Sequence, residues 1–172
     1  MSLPELFRPV LHILIGNVSS GKSTFAYNLQ EYQGGEKDII YLSSDAFRGV
    51  IGEGETDQTV SRQVFQVLEW NVEYFLKHGH QDIIIDAISK TPKARKIFID
   101  IGKRYEAKIV GYYFNVPMEI CKERNAKRER VVPNEIIERF QRELVAPMLG
   151  EGFDEINFVN VDGAIYSTIN EI

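Results

Sequence analysis

One cysteine, Cys121, stands in 172 residues. That excludes a disulfide framework, fits a reducing compartment and, with no nearby Cys or His set at metal-ligand spacing, leaves the thiol a packing role. The chain lacks a cationic leader followed by a signal-length apolar stretch, and it lacks an uninterrupted apolar run long enough to span a membrane. A cytoplasmic protein without membrane contact is therefore expected. No internal repeat or low-complexity linker divides it. At 19.7 kDa it has room for a single domain, 1–172, with a central sheet covered by helices. Net positive charge is missing too: the formal charge is -5, which argues against a surface designed to coat long nucleic acid.

That net charge hides an asymmetry. The stretch 90–130 carries twelve Lys and Arg against five Asp and Glu, so the remainder is strongly acidic. One basic segment in an acidic chain fits a local site for phosphates on a nucleotide or a polynucleotide end. Lys90, Lys93, Lys96, Lys103 and Lys108 are expected mainly to solvate helix surfaces.

What the chain does have is Gly16-Asn17-Val18-Ser19-Ser20-Gly21-Lys22-Ser23, which meets G-x-x-x-x-G-K-[ST] at each fixed position. The run from Val10 to Ile15 reads as a buried strand before it, and residues from Ser23 to Tyr32 as a helix after it. Backbone N–H groups of such a loop surround a β-phosphate, the helix N-terminus adds positive potential, Lys22 reaches the β/γ-phosphates and Ser23 ligates Mg²⁺. Gly16 to Thr24 are thus the nucleotide-binding candidates, with Asn17, Val18 and Ser19 at variable positions that shape the loop.

Strand and helix patterns alternate from there. Pro4 and Pro9 keep the lead-in out of the core, and Gly34 and Gly35 end the first helix. Asp38 to Leu42 predicts a second strand that runs into Ser43-Ser44-Asp45-Ala46-Phe47-Arg48. The stretch 49–58 reads as a mobile cleft loop, with Asp57 or Thr59 capping the next helix. Apolar residues from Val60 to Leu76 recur at helical spacing. Trp70 and Tyr74 lie beside that stripe and are expected to pack at its flank rather than stack on a base. Gln81 to Ala87 is a third strand ending in Asp86, followed by Thr91 and Pro92 as N-cap and first helical residue. Ala107 to Phe114 and Glu155 to Asp162 are the fourth and fifth strands, and the last residues form a short helical or irregular tail.

Strand ends in an open parallel sheet face the ligand, which brings Asp45, Arg48 and Asp86 to the edge that holds the phosphate loop. Asp45 is placed to take the proton of an alcohol and aim it in line with the γ-phosphate. Arg48, one helical turn on, is placed to hold a phosphate on the acceptor. Asp86 belongs in the neighbourhood of the metal, reaching it through water. Arg124 and Arg128 sit on one face if their helix persists, and with Arg130 they form a lid, approximately 122–134, that clamps the transferring phosphoryl group.

Together the segments Gly16 to Thr24, Ser43 to Gly49, Asp57-Gln58-Thr59-Val60, Ile85-Asp86-Ala87 and Glu123-Arg124-Asn125-Ala126-Lys127-Arg128 resemble the 5'-OH polynucleotide kinase module of phage and bacterial RNA and DNA end-healing enzymes. The resemblance implies an α/β P-loop kinase fold, with a parallel five-stranded sheet in the order 2-3-1-4-5 and helices on both faces. It implies an ATP-dependent phosphotransferase using ATP or another NTP with Mg²⁺, acting on 5'-OH RNA or DNA ends, with an end-healing phosphatase or ligase as partner. By it, Asp45 is the general base, Lys22 and Ser23 hold donor phosphate and Mg²⁺, Arg124 and Arg128 serve the donor and the transferring group, and Arg48, Asp86 and Ser89 lie on the acceptor side. The chain departs from the family at Ile88, where a polar group is common, and at Ser89, which replaces only part of an asparagine's hydrogen bonding. A nucleoside or sugar kinase would use the same donor machinery with an enclosed acceptor pocket. An NTP-dependent switch or assembly protein would use the loop without transferring phosphate.

Overall fold

Five residues in a row, Leu11 to Ile15, are buried, including His12, because the strand that holds them lies at the centre of the sheet. In the computed structural model, which describes residues 8–33, 38–55, 57–79 and 81–170, this strand is β1 (Val10–Gly16). It pairs in parallel with β3 (Asp82–Asp86) on one side and β4 (Lys108–Phe114) on the other. β2 (Ile39–Ser43) joins β3, and β5 (Glu155–Val159) joins β4, both in parallel. The order 2-3-1-4-5 is the expected one.

The tail departs from expectation. Residues Ile165–Asn170 form β6, antiparallel to β5 at the sheet edge, in place of a helical or irregular end. Every residue of β6 is exposed, so no in-out alternation marks it in the sequence.

Helices α1 (Lys22–Gln33), α2 (Ser44–Ile51), α3 (Ser61–His78), α4 (Pro92–Arg104), α5 (Met118–Ala126) and α6 (Asn134–Glu143) cover both faces. The strand period of two sorts the core. Leu11, Ile13 and Ile15 pack with Val64, Leu68 and Val72 of α3 and Phe98 of α4, while Leu14 packs with Ala26 of α1, Cys121 of α5 and Ile137 of α6. Cys121 is buried, as its packing role requires, and burial pushes its pKa up.

Local chemistry sets the helix ends. Thr91 Oγ1 accepts from the Ala94 N–H at 3.2 Å, with Pro92 at the first helical position, as expected. Helix α3 has Val60 at its N-cap and no side-chain cap bond. Asp57 instead closes its own loop, accepting from the N–H groups of Glu53 (3.1 Å) and Thr59 (2.9 Å). The loop is also shorter than expected, since Gly49, Val50 and Ile51 belong to α2. Trp70 and Tyr74 stack on each other 5.3 Å apart and stay 63% and 46% exposed, away from the cleft. The expectations at Pro4, Gly34, Gly35, Glu171 and Ile172 fall outside the described residues.

One buried ion pair ties α4 to the short turn before β5. Arg95 of α4 is fully buried and meets Glu151 through two bonds, Nε to Oε2 at 2.7 Å and Nη2 to Oε1 at 2.6 Å. Its Nη1 donates to the carbonyls of Ser89 and Val145, each at 3.0 Å. The segments after β3 and after α6 are thereby fixed to α4.

Candidate active site

The phosphate loop turns between β1 and α1 where a side chain at its first glycine has no room. A Cβ on Gly16 would lie 2.7 Å from Phe114 Cβ and 2.9 Å from Ser20 Oγ. Ser19 (φ 59°) and Gly21 (φ 103°) take left-handed backbone, the alternation of hand that gathers successive N–H groups into an anion-binding concavity. Helix α1 starts at Lys22, so its positive end lies at the same point. Lys22 Nζ donates to the carbonyls of Gly16 (3.0 Å) and Asn17 (2.7 Å), which holds the ammonium against the loop. Burial lowers its pKa, while Asp86 and Asp45 act in the opposite sense.

Asn17 has a role the motif does not announce. Buried, it donates from Nδ2 to the Ile137 carbonyl (3.1 Å) and Gln141 Oε1 (2.8 Å) and accepts from the Val18 N–H (2.7 Å). The loop is therefore tied to α6.

Asp86 ends β3 beside the loop. Its Oδ2 accepts from Ser23 Oγ at 2.8 Å and from the Tyr41 hydroxyl at 2.8 Å. A hydroxyl and a carboxylate in contact, facing a phosphate cradle, form a hard-oxygen donor set that fits Mg²⁺ completed by phosphate and water oxygens. Among the described residues no cluster of three or more His, Cys, Asp or Glu offers a metal site elsewhere.

Asp45 and Arg48 stand in the first turns of α2, which Ser43 caps by accepting from the Ala46 N–H at 3.4 Å. Asp45 is 57% exposed and Arg48 only 2%, and they form an ion pair through Nη1 and Oδ1. Nε and Nη2 of Arg48 are buried without a partner among the described residues. Leaving guanidinium N–H groups unmade costs free energy, so these two donors call for an acceptor.

The lid arginines converge on the loop without the continuous helix expected for them. Helix α5 ends at Ala126, and the next residues turn. Asn125 pins that turn: its Nδ2 donates to the Val132 carbonyl (2.7 Å) and its Oδ1 accepts from the Val132 N–H (3.0 Å). Arg124 donates to the carbonyls of Ser20 (3.2 Å) and Val161 (2.6 Å), and Arg128 to Ser19 Oγ (3.4 Å). Arg130 reaches across the mouth to Glu55 at 3.0 Å.

Ser19 to Ser23, Asp45, Arg48, Asp86 and the arginines at 124, 128 and 130 line one cleft of about 1050 Å³, which also takes in Val18, Thr24 and Tyr41, whereas Gly16 and Asn17 lie outside its lining. Ser89 does not join them. It is buried, its Oγ has no partner among the described residues, and its neighbours Ile88 and Lys90 line the cleft instead. Lys90 departs from its expected place on a helix surface: it precedes α4, pairs with Glu143 and lies 5.4 Å from the centre of the Phe140 ring. Arg139 is a further cleft residue that sequence reasoning passed over, and Ile136 and Phe140, expected with Ile137 to pack in the helix that Pro133 starts, line the cleft as well. The spacing of Arg139 from Ile136 on a helix after the lid was the available signal.

The AAA domain family matches residues 11–147. Among solved structures, the chain is similar to one in the Pnkp1/Rnl/Hen1 RNA repair complex, with TM-score 0.68 and 26% identity over 80% of this chain and 44% of that one. It thus spans less than half the length of that relative. A gluconokinase from Sinorhizobium meliloti 1021 shares the fold with TM-score 0.61 at 14% identity, over 89% of this chain and 83% of that one. Kti12 of Chaetomium thermophilum, in complex with ADP-AlF3, shares it with TM-score 0.69 at 17% identity, over 87% and 88%. The family match takes in the phosphate loop, α2 with Asp45 and Arg48, and the turn that carries Arg124 and Arg128, so the chain belongs to the AAA domain family.

Proposed function

We propose that the protein is a polynucleotide 5'-hydroxyl kinase, moving the γ-phosphate of ATP to the 5'-OH of an RNA or DNA end. The observation that carries this reading is Arg48. A buried guanidinium with two unpartnered donors, beside a solvent-exposed Asp45 in the same cleft, suits an acceptor that brings its own phosphate next to the reacting hydroxyl. Similarity to a chain of an RNA repair complex points the same way.

In this reading Asp45 accepts the proton of the 5'-OH as its oxygen attacks the γ-phosphorus, and ADP leaves. Lys22 and the loop N–H groups hold the β- and γ-phosphates. Arg124 and Arg128 lie against the loop and compensate the charge on the transferring group. Ser23 and Asp86 would hold Mg²⁺, which would neutralise charge on the donor phosphates. Arg48 orients the acceptor, and an end-healing phosphatase or ligase would act beside it. The small-metabolite alternative keeps the donor half but needs an enclosed pocket, and an acceptor edge where the base is 57% exposed does not favour one.

The test is a labelled-ATP assay with 5'-OH RNA, 5'-OH DNA, a nucleoside 3'-monophosphate, a free nucleoside and hexoses, run with the wild type and Arg48→Ala. Selective labelling of phosphate-bearing acceptors, weakened by the substitution, is expected. Labelling of a free nucleoside or hexose that equals theirs and ignores Arg48 would replace this reading with the small-metabolite one.

A further inference from the structure

Asn17 belongs to the phosphate loop but not to the lining of the cleft, and the same is true of Gln141, its partner on α6. Neither residue borders the space that a nucleotide would fill. Both reach Lys22 instead, through a single peptide unit.

That unit joins Asn17 to Val18, and the Asn17 side chain clamps it. Oδ1 accepts from the Val18 N–H at 2.7 Å, at one end of the peptide. At the other end the Asn17 carbonyl accepts from Lys22 Nζ at 2.7 Å and from the Ser20 N–H at 3.3 Å. In a planar trans peptide the N–H and the C=O point in opposite directions, so holding one aims the other. The clamp is itself anchored, because Nδ2 of the buried Asn17 donates to the Ile137 carbonyl and to Gln141 Oε1, one helical turn apart on α6. Helix α6 has footings of its own: Glu138 pairs with Lys122 of α5 at 2.6 Å, and Glu143 pairs with Lys90. A line of direct bonds thus runs from α6 through Asn17 to the ammonium of Lys22. The loop motif leaves position 17 open, so this aim belongs to the present chain and not to the motif.

We propose that Asn17 and Gln141 are positioning residues for the donor: they carry the seat of α6 to Lys22 and set where its ammonium meets the phosphates of ATP. The proposal rests on the donor half of the reading above, ATP at the phosphate loop, and holds for any acceptor.

Calorimetry with ATP on the wild type, Asn17→Ala, Lys22→Ala and the double variant closes a mutant cycle. Asn17→Ala should weaken ATP by about tenfold, the scale of one hydrogen bond to a charged group. In the Lys22→Ala background the same substitution should change the affinity by less than about twofold, because the group it aims is gone. Gln141→Leu removes one anchoring bond and should weaken ATP by roughly threefold, again only where Lys22 is present. A merely structural role moves a different quantity, since unfolded molecules lower the number of binding sites and leave the affinity of the rest unchanged. Equal losses with and without Lys22, or an Asn17→Ala variant that binds ATP as tightly as the wild type, overturn the proposal and leave the kinase reading in place. Should Asn17→Ala fail to fold, the cycle of Gln141→Leu with Lys22→Ala decides by the same criterion. A wild type that binds no ATP overturns the donor site and the proposal together.

Discussion

The Ser23 hydroxyl donates to Asp86 at 2.8 Å, joining the first turn of α1 to the end of β3. Tyr41 donates to the same carboxylate oxygen, also at 2.8 Å. Burial and the nearby Asp86 charge push the phenol's pKa well up, so Tyr41 remains a donor at neutral pH.

If these groups hold the metal, Asp86→Asn should weaken ADP binding in the presence of Mg²⁺ and leave metal-free binding little changed. Tyr41→Phe removes one orienting bond and should cost a fraction of that, about 1 kcal/mol or roughly fivefold in Kd. Calorimetric titration of ADP with and without Mg²⁺ checks both. Equal effects of Asp86→Asn in the two conditions would remove Asp86 from the metal site.

Lys22 and Asp45 should separate in function. Lys22→Ala is expected to weaken ATP binding and transfer together. Asp45→Asn keeps the size of the side chain while removing the base, so ATP affinity should hold and transfer should fall by about 10²- to 10⁴-fold. Calorimetry with ATP beside transfer kinetics distinguishes them. An Asp45→Asn variant that loses nucleotide affinity without a separate rate defect would contradict the assignment.

Arg95 should dominate the stability contributed by ion pairs. Arg95→Met strands the Glu151 carboxylate, which is only 9% exposed, and should cost about 3–5 kcal/mol. Lys96→Met removes an exposed helical pair with Asp100 and should cost about 0.5 kcal/mol or less. Urea denaturation of the two variants gives the comparison. Similar midpoints would mean that the buried pair is structurally dispensable.

His12 predicts a pH effect. Burial lowers its pKa to about 4 from an ordinary 6.5, although Glu155 acts in the opposite direction. Between those values the unfolded chain binds a proton that the folded one does not. Stability is unaffected above pH 6.5, falls as pH falls toward 4, and loses about 3 kcal/mol over the interval at about 1.4 kcal/mol per unit. The urea midpoint followed from pH 7 to 4 should decline less steeply in His12→Leu than in the wild type. Parallel declines would mean that other groups carry the effect.

The parallel sheet was legible because buried strands leave unbroken aliphatic runs, as in Leu11 to Ile15 and Ile83 to Ile85, and because the phosphate loop leaves a fixed spacing. Strand β6 left no such mark, since Ile165, Tyr166 and Ile169 are exposed along with the polar residues between them. Side-chain tethers were equally silent. Asn17 is 124 positions from Gln141, and Asn125 closes the lid turn through the backbone of Val132, contacts that no local pattern encodes. Lys90 looked like one more surface lysine because its partners, Phe140 and Glu143, lie far along the chain.

Both bonds that hold Arg124 end on main-chain carbonyls, those of Ser20 and Val161. The placement of this guanidinium is therefore indifferent to which side chains stand at 20 and 161. It depends on the path of the chain alone, including the turn between β5 and β6, where Asn160 Oδ1 accepts from the N–H groups of Asp162 (2.9 Å) and Ala164 (3.0 Å). Homologous chains can drift in residue identity at Val161 without moving Arg124. An insertion or deletion in that turn would displace it, so tolerance here is set by loop length.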